Sequence, residues 1–154
     1  MNTDLTPAST LPAIHAMTPA AVDKIRAFEV MNMQRPQIPI PTSHLLHAGM
    51  YARTITIPKD TVLTGALIKR ATILIFNGDA TIALGEDSVR MSGYHVIPAS
   101  AHRKQAFVAH ADTHLTMLFP SHARSVAQAE AEFTDEANLL FSRRGENVVN
   151  ITGE

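Results

Sequence analysis

Residues 50–119 read MYARTITIPKDTVLTGALIKRATILIFNGDATIALGEDSVRMSGYHVIPASAHRKQAFVAHADTHLTMLF. The stretch divides into MYARTITI, TVLTGALI, ATILIF, ATIAL, SVRM, YHVI, RKQAFVA and THLTMLF, short segments rich in Thr, Ile, Val, Leu and Phe. Such residues suit a pleated, half-buried surface. Turn chemistry lies between them, at Pro58-Lys59-Asp60, Asn77-Gly78, Gly85-Glu86-Asp87, Pro98 to Ala101 and His110 to Asp112, and Asn-Gly is the strongest two-residue hairpin signal. Thr54, Thr56 and Thr61 alternate with Ile55, Ile57 and Val62, the pattern of a sheet with one wet and one packed face. ATILIF is apolar almost throughout and reads as a central strand covered on both sides. The expected fold is mainly β, a single antiparallel jelly-roll barrel over residues 44–120.

The flanks have different chemistry. Residues 1–17 hold few bulky apolar groups and two prolines, a composition that does not offset the entropy of ordering; they read as a flexible arm suited to docking, apart from the barrel's own stability. Over 18–43, Thr18-Pro19 supplies a helix N-cap and first turn. Val22, Ile25, Phe28 and Met31 or Asn32 then follow at helical spacing, and RPQIPIP forms an extended connector. Residues 121–154 are expected to carry short helices outside the barrel. One holds Val126, Ala129 and Phe133, and a second, capped by Thr134-Asp135-Glu136, holds Leu139, Leu140 and Phe141 and ends at Gly145. The tail ENVVNITGE is either a loose terminus or a strand added to a sheet edge.

The 154 residues suit one domain with a substantial core. A net charge of −1, from 13 basic and 14 acidic residues, provides no general field for nucleic acid or an anionic membrane, so neither is expected as a partner. Cysteine is absent, which excludes disulfides, thiolate metal sites and a cysteine nucleophile. Apolar runs fall short of the roughly 18 residues of a membrane span, and MNTDLTPAST lacks a secretory pattern. The expected location is the cytoplasm of a host, or a virion, without secretion by a signal peptide.

Two segments, GMYARTITIPKDTVLTGALIKRATILIFNGDATI and YHVIPASAHRKQAFVAHADTHLTMLFP, resemble the cupin superfamily, the jelly-roll barrels of RmlC-like type. The resemblance is closest to small cupin-like proteins encoded by tailed bacteriophages, spans about 44–120, and has a weaker echo at 139–144. Metal-dependent cupins aim two His and a Glu from a first motif, and one His from a second, into the barrel. Family spacing, counted back from Gly78, places the Glu position at Ala71 and the His positions at Gly65 and Leu67 or at Thr64 and Ala66. The phage-type spacing gives Ile68, Ala71 and Thr72. None of these side chains completes a metal site. In the second motif Pro98 fits, Ser100 replaces a Gly, and His102 falls one residue short of the position held by Arg103.

Other polar groups offer weaker signals. His110, Asp112 and His114 alternate and would share one face of a strand, but the segment reads more simply as a hairpin turn with His114 at a strand start. His44 and His47 precede the first strand as loop histidines. Arg53, Lys69, Arg70, Arg90, Arg103 and Lys104 would grip a carboxylate or phosphate if they converged; the reading preferred is a solvated outer face shielding sheet edges. Ser100 and His102 lack a nucleophile-elbow pattern.

The leading functional expectation is a non-enzymatic, metal-free structural or interaction protein with no cofactor. It would form a homo-oligomer through the barrel and residues 36–57, with other virion proteins as further partners. The alternative is a metal-independent enzyme or a binder of a sugar or carboxylate, with Arg53, Tyr94, His102 and His114 as ligand-binding residues.

Overall fold

The computed structural model describes residues 13–140 and 147–154. The chain runs α1 (Pro19–Asn32), β1 (Thr42–His47), β2 (Met50–Ile57), β3 (Val62–Thr64), β4 (Thr72–Ala83), β5 (Ser88–Ala99), β6 (Ala106–Ala109), β7 (Thr113–Pro120), α2 (Val126–Phe133), a 3-10 turn (Ala137–Leu139) and β8 (Asn147–Ile151). Eight strands form one curled sheet in the order β3-β6-β4-β7-β2-β1-β8, with β5 paired to the other edge of β4. All pairings between these eight strands are antiparallel except β1 with β8, which run parallel, so the sheet is mixed rather than antiparallel throughout. Among the described residues the molecule is a mainly β half-barrel with two α-helices, consistent with a jelly roll.

Alternation along the strands defines the concave core. Tyr51, Arg53 and Ile57 of β2, Leu115, Met117 and Phe119 of β7, and Leu74, Phe76, Ala80 and Ile82 of β4 are buried. β4 is central, but Ile73 on its outer face is 45 % exposed, so ATILIF alternates and is not covered on both sides. ATILIF and ATIAL make one 12-residue strand, as do SVRM and YHVI. Asn77-Gly78 therefore lies within β4 and is no hairpin turn. The glycine is required because a Cβ there would sit 2.5 Å from Thr113 Oγ1 and 2.6 Å from Thr113 Cα, a close backbone approach. Pro98 likewise belongs to β5; its backbone carbonyl accepts from Ile14 N at 2.9 Å.

β1 occupies ground read from the sequence as connector and loop. His44 and His47 are strand residues, and the tail resolves its two readings in favour of a strand, with Thr42–Leu46 matched to Asn147–Ile151. The N-cap of α1 is as expected, Thr18 Oγ1 accepting from Ala21 N at 3.1 Å. Val22 and Ile25 face inward, whereas Met31 is exposed. α2 does not simply lie outside the barrel. Phe133 is buried in the core cluster and packs against Tyr51 and Phe119, with ring centroids 6.4 and 6.2 Å away. Of the expected second C-terminal helix the described residues show a 3-10 turn at Ala137–Leu139; Phe141, Gly145 and most of the 139–144 echo lie outside the described residues.

The proposed independence of segment 1–17 does not hold for its last residues. Ile14 is 1 % exposed and forms a parallel bridge to Ala99, with Ser100 N donating to Ile14 O at 2.8 Å. Met17 N donates to His102 O at 2.8 Å. The segment is anchored because one large aliphatic side chain fills the core while backbone pairing satisfies its polar atoms. An Ile14→Ala variant is expected to lose about 2–5 kcal/mol of stability in urea denaturation; a loss below the error of that measurement would place Ile14 outside the cooperative core.

Candidate functional site

The site is set by four consecutive residues between β5 and β6. His102 has φ +62°, a left-handed conformation costing a non-glycine residue roughly 1–2 kcal/mol. Its N–H donates to Ile68 O at 2.7 Å, Ile68 N donates to Arg103 O at 2.8 Å, and Gly65 N donates to Gln105 O at 2.8 Å. These bonds hold 103–105 beside the 65–68 segment. In such extended backbone, residues two apart share a face, so Arg103 and Gln105 turn into one cavity while Lys104 faces elsewhere.

The cavity has a volume of about 270 Å³ and is lined by aliphatic and aromatic side chains, among them Leu63, Leu74, Phe107, Leu115 and Met117, with Arg53, Arg103 and Gln105 as inner polar residues. Arg103 is 2 % exposed. Its Nη1 donates to Ser100 O at 2.7 Å and Arg70 O at 3.1 Å, and its Nη2 to Thr72 Oγ1 at 2.8 Å and, weakly, to Met117 Sδ at 3.8 Å. All four acceptors are neutral. Burial pulls its pKa down to about 10, which leaves it cationic at neutral pH. Gln105 is 94 % buried, and its Nε2 has no hydrogen-bond partner among the described residues.

The remaining charges at the cavity are matched. Arg53 Nη1 lies 3.3 Å from Glu130 Oε2, and its guanidinium carbon lies 5.6 Å from the Phe133 ring centroid. Lys104 Nζ lies 3.0 Å from Glu29 Oε2 and 3.5 Å from Glu136 Oε2, and donates to Gly65 O at 2.8 Å. Glu136 also meets Arg26 at 2.6 Å. Burial raises the Glu136 pKa, but the Leu67 N–H, Arg26 and Lys104 outweigh it and hold the carboxyl below its ordinary value. Arg53, Arg103 and Lys104 are thus buried groups, not the solvated outer face expected for them. Lys69, Arg70 and Arg90 do lie at the surface, Lys69 pairing with Asp135 and Arg90 with Asp79.

The donor set does not fit a metal. Thr64, Gly65, Ala66 and Ile68, all expected ligand positions, line the cavity and offer at most a hydroxyl. Ala71 is exposed, Leu67 directs its N–H to Glu136, and Thr72 is bonded to Arg103. The last inward residue of the second motif is a guanidinium, which repels a cation. Among the described residues no group of three His, Asp or Glu is placed to hold an ion. His110, Asp112 and His114 instead bond separately, to Thr81 Oγ1, Lys59 N and Thr56 Oγ1 at 2.7, 2.8 and 3.0 Å.

Of the four residues singled out from sequence, only Arg53 lines the cavity. Tyr94 is 66 % exposed on β5. His114 points outward from β7, and His102 is exposed at the bend. The inner polar residues outside that set are Arg103, weighed from sequence as a motif substitute and as one of six scattered basic residues that would grip an anion if they converged, and Gln105, which was not singled out. Alternation from Arg103 was the signal that pairs them.

A second buried polar group lies on β1. His44 is 3 % exposed, with Nδ1 2.7 Å from Tyr51 Oη and Nε2 2.9 Å from Asn147 Oδ1. Since Asn147 Oδ1 only accepts, Nε2 carries the proton and Nδ1 accepts from Tyr51. Desolvation pushes the Tyr51 pKa up to about 12, keeping that hydroxyl a donor. Desolvation also lowers the His44 pKa.

No protein-family model matches the chain, and no curated protein matches it. Solved structures similar to it include a cupin-superfamily protein from Desulfitobacterium hafniense (12% identity, 48% of this chain and 69% of that one, TM-score 0.39). A cupin-2 domain protein from Shewanella frigidimarina matches at 9% identity over 60% of this chain and 91% of that one, with a TM-score of 0.40. Ectoine synthase from P. lautus matches at 17% identity over 58% and 68%, with a TM-score of 0.45. The likeness concerns the fold alone.

The depressed His44 pKa has a pH consequence. The folded value lies below the ordinary 6.5, so the unfolded chain binds the proton more readily and stability falls with pH. The contribution is complete above about pH 6.5 and is lost as pH falls through the folded value. Thermal unfolding between pH 7.5 and 5 is expected to show this acid limb in the wild type. In His44→Gln the limb should shrink while the neutral-pH midpoint drops; an unchanged limb would show that His44 does not titrate on unfolding.

Proposed function

We propose that this protein is a metal-free barrel that binds a small organic ligand in its cavity, as a binder and not an enzyme. One observation carries the reading: a mainly apolar cavity holds a buried guanidinium with neutral partners only, beside a buried amide nitrogen with none among the described residues. Natural interiors rarely leave buried donors unsatisfied, and apolar pockets with a few convergent polar groups are the usual form of small-ligand sites. The carboxylates at the cavity, Glu29 and Glu136, are committed to Lys104 and Arg26, which leaves no obvious acid–base pair for catalysis. Native mass spectrometry of gently purified protein should reveal a retained organic molecule or, after its removal, uptake from a metabolite mixture. A chain that retains nothing and takes up nothing would defeat this reading.

A second reading, the assembly role, is favoured by β8. The expected route through 36–57 supposed a free strand edge, but both edges of β1 are occupied, by β2 and β8. The argument passes to β8, where Val148, Val149 and Ile151 are exposed and the edge away from β1 suits strand addition by a second copy. The virion setting belongs with this reading. Sedimentation equilibrium should then give a mass well above 16.7 kDa, returning to the monomer value in Val149→Lys; a monomeric wild type would remove the reading.

A further inference from the structure

We infer that the ligand of this cavity is a small monocarboxylate with an apolar body, its carboxylate held by Arg103 and Gln105 and its body lying against Leu63, Phe107, Leu115 and Met117. This rests on the ligand-binding reading above and names the ligand's chemical class.

Charge accounting leads to it. Arg53 is matched by Glu130, and Lys104 by Glu29 and Glu136, the latter shared with Arg26. Among the described residues no carboxylate is paired with Arg103, whose hydrogen bonds end on two carbonyls, one hydroxyl and one thioether. A buried cation without a counter-ion is costly, and a single negative charge supplied from outside would neutralise it. A dianion would bring a second buried charge with nothing to match it, and Glu29 and Glu136 already line the same cavity. The balance therefore favours a carboxylate over a phosphate.

Hydrogen bonding agrees. The contact from Arg103 Nη2 to Met117 Sδ is long, at 3.8 Å, and thioether sulfur is a weak acceptor. A carboxylate oxygen would be a far better partner for that donor. Gln105 Nε2 supplies a second donor from the same face of the chain, and it is a buried nitrogen that lacks an acceptor among the described residues. The rest of the wall offers a ligand mostly hydrocarbon contact, so affinity beyond the carboxylate comes from apolar area.

The test uses the full chain, stripped of retained molecules, and isothermal titration with octanoate, octanamide and octyl phosphate. Octanoate should bind, with octanamide weaker by about tenfold or more because a charge-assisted bond exceeds a neutral one by that order, and with octyl phosphate also weaker by about tenfold because its second charge is unmatched in the cavity. Arg103→Lys, which retains the charge without the planar fork, should weaken octanoate by about tenfold. Gln105→Met gives a readout independent of the arginine. It removes an unsatisfied buried donor, so the empty protein should melt at a higher temperature while octanoate binds less tightly.

Equal binding of octanoate and octanamide, unaffected by Arg103→Lys, would overturn the carboxylate assignment while leaving a ligand-binding barrel. Tighter binding of octyl phosphate would overturn it in favour of a phosphoryl group. A lower melting temperature in the empty Gln105→Met protein would make Gln105 a structural residue and remove it from the site. Failure of all three probes to bind, with nothing retained in native mass spectrometry, would bring down the ligand-binding reading as well.

Discussion

A buried ammonium joins the parts of this molecule that strand pairing alone does not. Lys104 Nζ, on a side chain with no solvent exposure, reaches Glu29 on α1, Glu136 after α2 and the Gly65 carbonyl after β3. Burying such a group is costly unless its charge is matched, and here two carboxylates and a carbonyl share the task. The three segments are thereby held in one arrangement around the cavity. Glu29 and Glu136 line that cavity and are occupied by Lys104, so the ion cluster that closes the structure also fixes the electrostatic conditions inside.

Arg103 is the counterpart of Lys104 on the opposite face of the same extended segment. One neighbour meets two carboxylates and the other meets none among the described residues. The left-handed turn at His102 precedes this division, and its backbone bonds to Ile68 hold the segment in place. The position at which metal-dependent cupins would supply a histidine carries a guanidinium here. A guanidinium at that place disfavours a cation and leaves a positive charge facing the cavity.

Local signals made much of the architecture legible. β-rich segments, the Thr18-Pro19 start of α1 and the turns at Pro58–Asp60 and Gly85–Asp87 all follow from neighbouring residues. Several misreadings have their cause in distant parts of the chain. Asn77-Gly78 has hairpin chemistry, yet the glycine answers Thr113 on another strand. His44 and His47 looked like loop residues although their hairpin partner β2 is next in sequence; only the pairing of β1 with the far C-terminal β8 depends on distant residues. Arg53, Arg103 and Lys104 looked solvated because charge usually is, and only the assembled fold supplies Glu130, Glu29 and Glu136. Tyr94, His102 and His114 were attractive by chemical type, but the strand faces and the bend direct them outward.

The parallel pairing of β1 with β8 bears on how the molecule is made. His44 bonds to Asn147, 103 positions later, and Thr152 N closes the edge on Leu46 O at 3.0 Å. During synthesis, therefore, β1 has to wait with one side unsatisfied until residue 151 has cleared the ribosome, although its hairpin with β2 forms from neighbouring sequence. Contacts of such long range are late and slow because the loop must close before they reward it. The edge of β1 thus stays open until β8 has been made, and β8 then becomes the outer strand of the sheet in its place.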